Sequence, residues 1–151
     1  MKHHRRAAVV CLSLMSILAA PGLVHAQDGG VRAGVSGSPD QFYLGAHVEA
    51  GPVAEMLWFR PNVELGVGSD RTVVSFNVEF VHRLALPRSD WRLYVGGGPA
   101  LNVVRTSRDT NPGGGLTILV GAEHQRGFFT ELKAGLVDSP EIKFGVGYTF
   151  R

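Results

Sequence analysis

Past residue 26 the chain holds three histidines, His47, His82 and His124, and they are the first residues to test for catalysis. Acyl transfer needs a hydroxyl beside an imidazole and an acidic group to orient that imidazole. Ser75 alternates with apolar neighbours on a polar face, and no His-x-Ser pattern occurs. His82 and His124 fall at the ends of alternating segments. His47 stands two residues from Glu49 on a polar face, where it joins a polar network. Three histidines without paired spacing make no metal site. The runs Gly96–Gly98 and Gly113–Gly115 lack the Lys-Ser/Thr pair and the helix of a phosphate loop, so they read as a bend and a loop. No catalytic, cofactor-binding or metal-ligating residue is therefore expected, and the chain is not read as an enzyme. What remains is a set of charges on one face: Arg32, His47, Glu49, Arg60, Glu64, Glu79, Arg83, Arg92, Glu123, Glu131, Lys133 and Lys143. Without His47, five carboxylates meet six cations. The chemistry such a set supports is ion pairing in an enclosed space, where an unpartnered charge costs several kcal/mol.

The elements that must position these charges read as strands. The segment from Glu141 to Arg151 sets the pattern: Ile142, Phe144, Val146, Tyr148 and Phe150 alternate with Lys143, Gly145, Gly147 and Thr149. Successive strand side chains point to opposite faces, so one face is apolar and the other small or charged. The same alternation predicts strands over 31–36, 42–50, 57–68, 71–84, 91–104, 116–124 and 128–137, joined by Gly-, Pro-, Ser- and Asp-rich turns. Residues 27–30 read as a leader, Gly51-Pro52 as a turn, and 105–115 as the one long loop. Pro61, in the middle of the third strand, removes a ladder donor and belongs at a bulge or an edge. No helical stripe survives past residue 26, and the repeated hairpin predicts an all-β, eight-stranded antiparallel up-and-down barrel over 27–151.

The N-terminal stretch has another character. Met1 to Arg6 is basic, Ala7 to Ala20 is uncharged and apolar, and Val24-His25-Ala26 offers a cleavage site before Gln27. This pattern predicts a secretory signal peptide over 1–26, too short in its apolar run for a membrane-spanning helix. Its removal takes Lys2, Arg5 and Arg6, so the 15 basic residues fall to 12 against 13 acidic ones. The basic pI of the full chain then gives no argument for nucleic-acid binding. Cys11, the single cysteine, leaves as well, and with it any disulfide.

Alternation alone does not say which face is outside. All six aspartates lie in the leader or the turns, whereas five glutamates lie within strands on the face shared with the cations. Glycines share that face too, and inside a narrow barrel they make room for long charged side chains. The aromatics Trp58, Phe59, Phe80, Trp91, Phe128, Phe129, Tyr148 and Phe150 gather towards one rim, as in a membrane-interface belt. The reading is a transmembrane barrel with greasy side chains outward and a charged, side-chain-filled lumen.

This combination of signal peptide, eight alternating strands and aromatic last strand resembles the small outer-membrane β-barrel proteins of Gram-negative bacteria, the OmpA/OmpX-like group. The resemblance covers residues 31–151 and rests on pattern rather than on an invariant motif. It implies a bacterial outer-membrane location, outer-membrane lipids as surroundings, the barrel-insertion machinery as a partner during assembly, and a monomer. Members usually end in an aromatic residue that this machinery recognises; here Arg151 follows Phe150. The function expected is structural or surface-interacting, without catalysis. Two alternatives stand beside it: a narrow, porin-like pore or hydrophobic-ligand conduit, and a secreted soluble lipocalin-like binding barrel.

Overall fold

Small or charged residues alternating with Val, Leu, Ile and Phe can satisfy both faces of a strand only if the sheet closes on itself. In the computed structural model of the protein they do so. It describes residues 26–38, 40–137 and 142–151; the expected signal peptide lies outside them except for its last residue. Eight strands follow one another: β1 (Ala26–Gly37), β2 (Gln41–Ala54), β3 (Leu57–Val67), β4 (Arg71–Ala85), β5 (Trp91–Thr106), β6 (Thr110–His124), β7 (Phe128–Val137) and β8 (Ile142–Phe150). Each pairs antiparallel with the next, and β1 pairs with β8 from Gly29↔Phe150 to Gly37↔Ile142, closing the barrel. Full closure leaves no sheet edge along the barrel wall. The near rim, where β8 ends, carries the connections 55–56, 86–90 and 125–127. Among the described residues, the far rim carries Ser38, Asp40, 68–70 and 107–109.

Three expectations are corrected by the register. The leader 27–30 is part of β1, since Gly29 and Gly30 pair with Val48 and His47. Gly51-Pro52 does not turn the chain; β2 runs on to Ala54 through a register shift, and the turn falls at Glu55-Met56. The long loop shrinks to 107–109. Ala100 to Arg105 pair with Gly115 to Thr110, so ladder hydrogen bonds override a composition rich in glycine. That turn is held by Thr106, whose amide and hydroxyl both donate to the Asp109 carbonyl. Among the described residues, the β7 partners of β6 begin at Leu116, which pairs with Val137, so the first residues of β6 reach past the described end of β7.

Pro61 sits at neither a bulge nor an edge. The β2–β3 ladder passes from His47↔Asn62 to Ala50↔Phe59 without its two intermediate rungs, and the register is unchanged. Pro99 does the same between β4 and β5, from Asn77↔Ala100 to Phe80↔Gly97. Each proline thus turns its nitrogen towards the neighbour whose rungs are missing, β2 for Pro61 and β4 for Pro99. At the near rim Gly127 has φ +97°, and a Cβ there would run into the Thr149 carbonyl; only glycine suits this turn.

Polarity is inverted relative to a water-soluble domain. Glu64, Glu79 and Glu131 are 1 %, 0 % and 3 % exposed, while Leu65, Ile118 and Phe144 are 47 %, 50 % and 51 % exposed. The outer wall carries apolar residues on every strand, with no charged side chain between the two rims. Along β5 it runs from Trp91 to Val103, about 28 Å of height once strand tilt is allowed for.

Candidate functional site

Because neighbouring strands are staggered, interior positions of opposite walls meet across the lumen. Glu131 on β7 accepts from Arg32 Nη1 at 2.7 Å, from Arg60 Nη2 at 2.6 Å and from the Tyr94 hydroxyl at 3.0 Å. Two residues on, Lys133 donates to Glu64 at 2.7 Å and Glu79 at 2.6 Å, and Lys143 donates to the second oxygen of Glu64 at 2.7 Å. Towards the near rim Arg83 donates to Glu49 at 2.6 Å and Glu123 at 3.2 Å. Arg60 Nη1 lies 3.9 Å from Glu49 and joins the two groups. The twelve residues singled out in the lumen are thus all interior: eleven are buried, and Arg92, at the near mouth, is about one-third exposed. His47 is in the lumen but outside the ion pairs; its Nε2 lies 3.2 Å from the Thr149 hydroxyl.

Rings sit between the ions, each opposite a glycine of the next strand. Tyr94 pairs with Gly121, Phe129 with Gly147, Tyr43 with Gly34 and His47 with Gly30. A Cβ at Gly121 would collide with the Tyr94 ring, one at Gly147 with Phe129, and one at Gly30 with His47. The interior glycines therefore make room mainly for aromatic rings, with Gly45, beside Glu64 and Arg32, serving the long charged side chains as expected. The rings in turn take guanidiniums on their faces: Arg60 lies 4.9 Å from the Tyr94 centroid and Arg32 5.6 Å from that of Phe129. Val81, Tyr94 and Leu119 form a small apolar cluster against the β5–β6 wall. Side by side on β4 and β3, Asn77 donates to Asn62 at 2.7 Å.

At the near mouth three arginines converge on Glu123. Arg83 and Arg92 reach it at 3.2 and 3.5 Å, and Arg151 folds back to pair with it, with Asp28 at 3.8 Å and with the Gln125 carbonyl at 3.0 Å. Partial burial, then the neighbouring Arg92 and Arg83, lower the Arg151 pKa from its ordinary value. It remains a cation.

Trp58 is corrected: it faces inward, with the Arg83 guanidinium 4.3 Å from its ring centroid, because it shares strand parity with Arg60. Phe129 is corrected too. It is buried in the lumen, one residue out of phase with Phe128. The remaining aromatics of the expected belt do stand on the outer wall at the near rim. Phe59 and Phe80 are 5.4 Å apart, Trp91 and Phe128 6.4 Å, and Tyr148 and Phe150 5.4 Å, with His124 against Trp91 at 5.1 Å. Ser75 is buried in the lumen between Glu64 and Asn102, its cross-strand neighbours, while His82 and His124 stand on the outer wall near the other end. Among the described residues no three His, Cys, Asp or Glu side chains gather as metal ligands. Tyr43, Tyr94 and Phe129 are the lumen residues that reading for charge alone passed over; their strand parity marked them as interior.

No protein-family model matches the chain, and no curated protein matches it. Solved structures do. Neisserial surface protein A superposes with a TM-score of 0.63 at 12 % identity, over 81 % of this chain and 93 % of that one. The N-terminal β-barrel domain of Pseudomonas aeruginosa OprF gives 0.57 at 13 %, over 85 % and 100 %. The outer membrane enzyme PagL gives 0.53 at 12 %, over 82 % and 99 %. The chain has the fold of the small eight-stranded outer-membrane β-barrels, and at these identities the likeness carries fold alone.

Proposed function

We propose that this is an integral outer-membrane barrel, exported by its signal peptide, that serves envelope structure or surface interaction and carries out no catalysis. One observation carries the reading: the outside is apolar on all eight strands, and the inside is closed by paired ions. Soluble monomers rarely expose contiguous apolar patches beyond a few hundred Å². A wall of Val, Leu, Ile and Phe about 28 Å high suits a bilayer's hydrocarbon core, flanked at the near rim by Trp91, Phe128, Tyr148 and Phe150. A lipocalin-like binding barrel would need the opposite polarity. A pore would need an open path, whereas here Lys133, Glu64, Glu79, Arg32, Glu131 and Arg60 meet across the lumen. In this orientation the near rim faces the periplasm, and the far rim with its 68–70 and 107–109 turns faces outward.

The test is cell fractionation with SDS gel migration before and after boiling, followed by planar-bilayer recording. Outer-membrane fractionation, a heat-dependent shift and no conductance are expected. Recovery in the soluble periplasmic or secreted fraction would overturn the membrane reading. Steady single-channel currents would favour the pore.

A further inference from the structure

Every cation in the lumen has a carboxylate within 4 Å, yet among the described residues Arg71, Arg105 and Arg108 at the far rim make no ion pair or side-chain hydrogen bond. They gather at one corner. Arg71 pairs with Thr106 and Thr72 with Arg105 across β4–β5, and Arg108 lies in the turn that joins β5 to β6. Register gives this corner a finer pattern. Thr72 pairs with Arg105, and Arg105 pairs with Thr110, so the three stand side by side on β4, β5 and β6. All three share the strand parity of the outer wall, being in phase with Val74, Val103 and Pro112 in the adjacent row. Cross-strand neighbours place their Cβ atoms about 5 Å apart. A guanidinium flanked by two hydroxyls therefore stands on the lipid side of the wall, one row beyond its apolar part.

We infer that the Thr72–Arg105–Thr110 row binds the phosphate of a lipid headgroup in the outward leaflet, with Arg108 in the adjoining turn adding charge beside it. This inference rests on the membrane reading above. The guanidinium fork matches two phosphate oxygens, and the hydroxyls donate to a third. The phosphate comes from a lipid rather than from solution because Arg105 rises from the wall directly past Val103, where acyl chains give way to headgroups. Asp70 and Asp109 lie in the adjoining turns, and neither neutralises Arg105. Elsewhere the same lateral row is apolar: Val35, Phe42 and Val67 occupy it on β1, β2 and β3.

The experiment places the refolded protein in phosphatidylcholine nanodiscs containing a minor share of phosphatidic acid and measures, by mass spectrometry, the lipid retained after mild delipidation. Phosphatidic acid should be enriched about five-fold, a value set by one surface arginine. Arg105→Gln should abolish the enrichment, and Thr72→Val with Thr110→Val should weaken it. Arg105→Lys should retain part of it, and Arg126→Gln on the near rim should leave it intact. Heat-modifiable migration reports whether each variant is folded. Equal enrichment in Arg105→Gln overturns the inference, and so does displacement of phosphatidic acid by inorganic phosphate alone. Flotation with plain phosphatidylcholine vesicles separates the two readings. A protein that does not float loses both; one that floats without preferring phosphatidic acid loses only this one.

Discussion

In the middle of the barrel Glu131 accepts from two guanidiniums and a phenol while fully enclosed, and Lys133 divides its protons between Glu64 and Glu79. At the near mouth Glu123 also gathers several cations, but Arg92 and Arg151 are 32 % and 28 % exposed there. The charges of the central group come from β1, β3, β4, β7 and β8, and β5 adds the Tyr94 phenol. The mouth group includes the only interior charges of β5 and β6. Solvent makes the difference in kind. Charges that water cannot reach are costly to leave alone, whereas those at the mouth fall back on hydration when a partner goes. The centre is a structural commitment, and the mouth is an adjustable closure.

Four substitutions or conditions break or sharpen this contrast. Glu131→Ala leaves Arg32 and Arg60 without their closest carboxylate, and a loss of about 3–5 kcal/mol is expected, read as a shifted urea midpoint for the refolded barrel. Gly121→Val places a side chain where the Tyr94 ring lies, and a loss of about 1–3 kcal/mol is expected as ring or strand moves. Tyr94→Ala in the same chain should recover part of that loss; no recovery would show that the clash lies elsewhere. Arg151→Gln should cost at most ~1 kcal/mol, since its closest partner Glu123 keeps Arg83 and Arg92. Smallest is the effect of ionic strength. Raising salt to about 1 M should lessen the difference between Arg151→Gln and the parent chain while leaving that of Glu131→Ala unchanged. Equal salt sensitivity at both sites would erase the distinction between centre and mouth.

Most of the wall was legible from alternation, because a closed barrel imposes one rule on every residue: odd and even go to opposite sides. Parity alone puts Glu64, Glu79 and Lys133 in one enclosure. It also marks Trp58 and Phe129 as interior, and treating them as belt aromatics gave residue type precedence over phase. The rings seated on glycines were less accessible, since which glycine lies opposite which ring depends on register, and register depends on turn length. The turn at 107–109 shows why that length is hard to read. A stretch of Asn, Pro and three glycines looks like a loop, yet it is held as a strand by pairing with Ala100 to Val104 just before the turn. Which ions pair across the lumen was hidden for a related reason: Arg60 and Glu131 are 71 residues apart and meet only through strand stagger.

The reach of β6 past the described end of β7 has its own consequence for a crowded membrane. Pro99 turns its nitrogen to β4, so its β6 partner Leu116 turns its peptide groups to the β7 side, and Pro112, four residues earlier, does likewise. Among the described residues, nothing on the β7 side pairs with that short length of backbone, so it is a place where a neighbouring molecule could add a strand of its own. Proline in the middle of it withholds a donor there, so barrels jostling side by side are kept from stitching together.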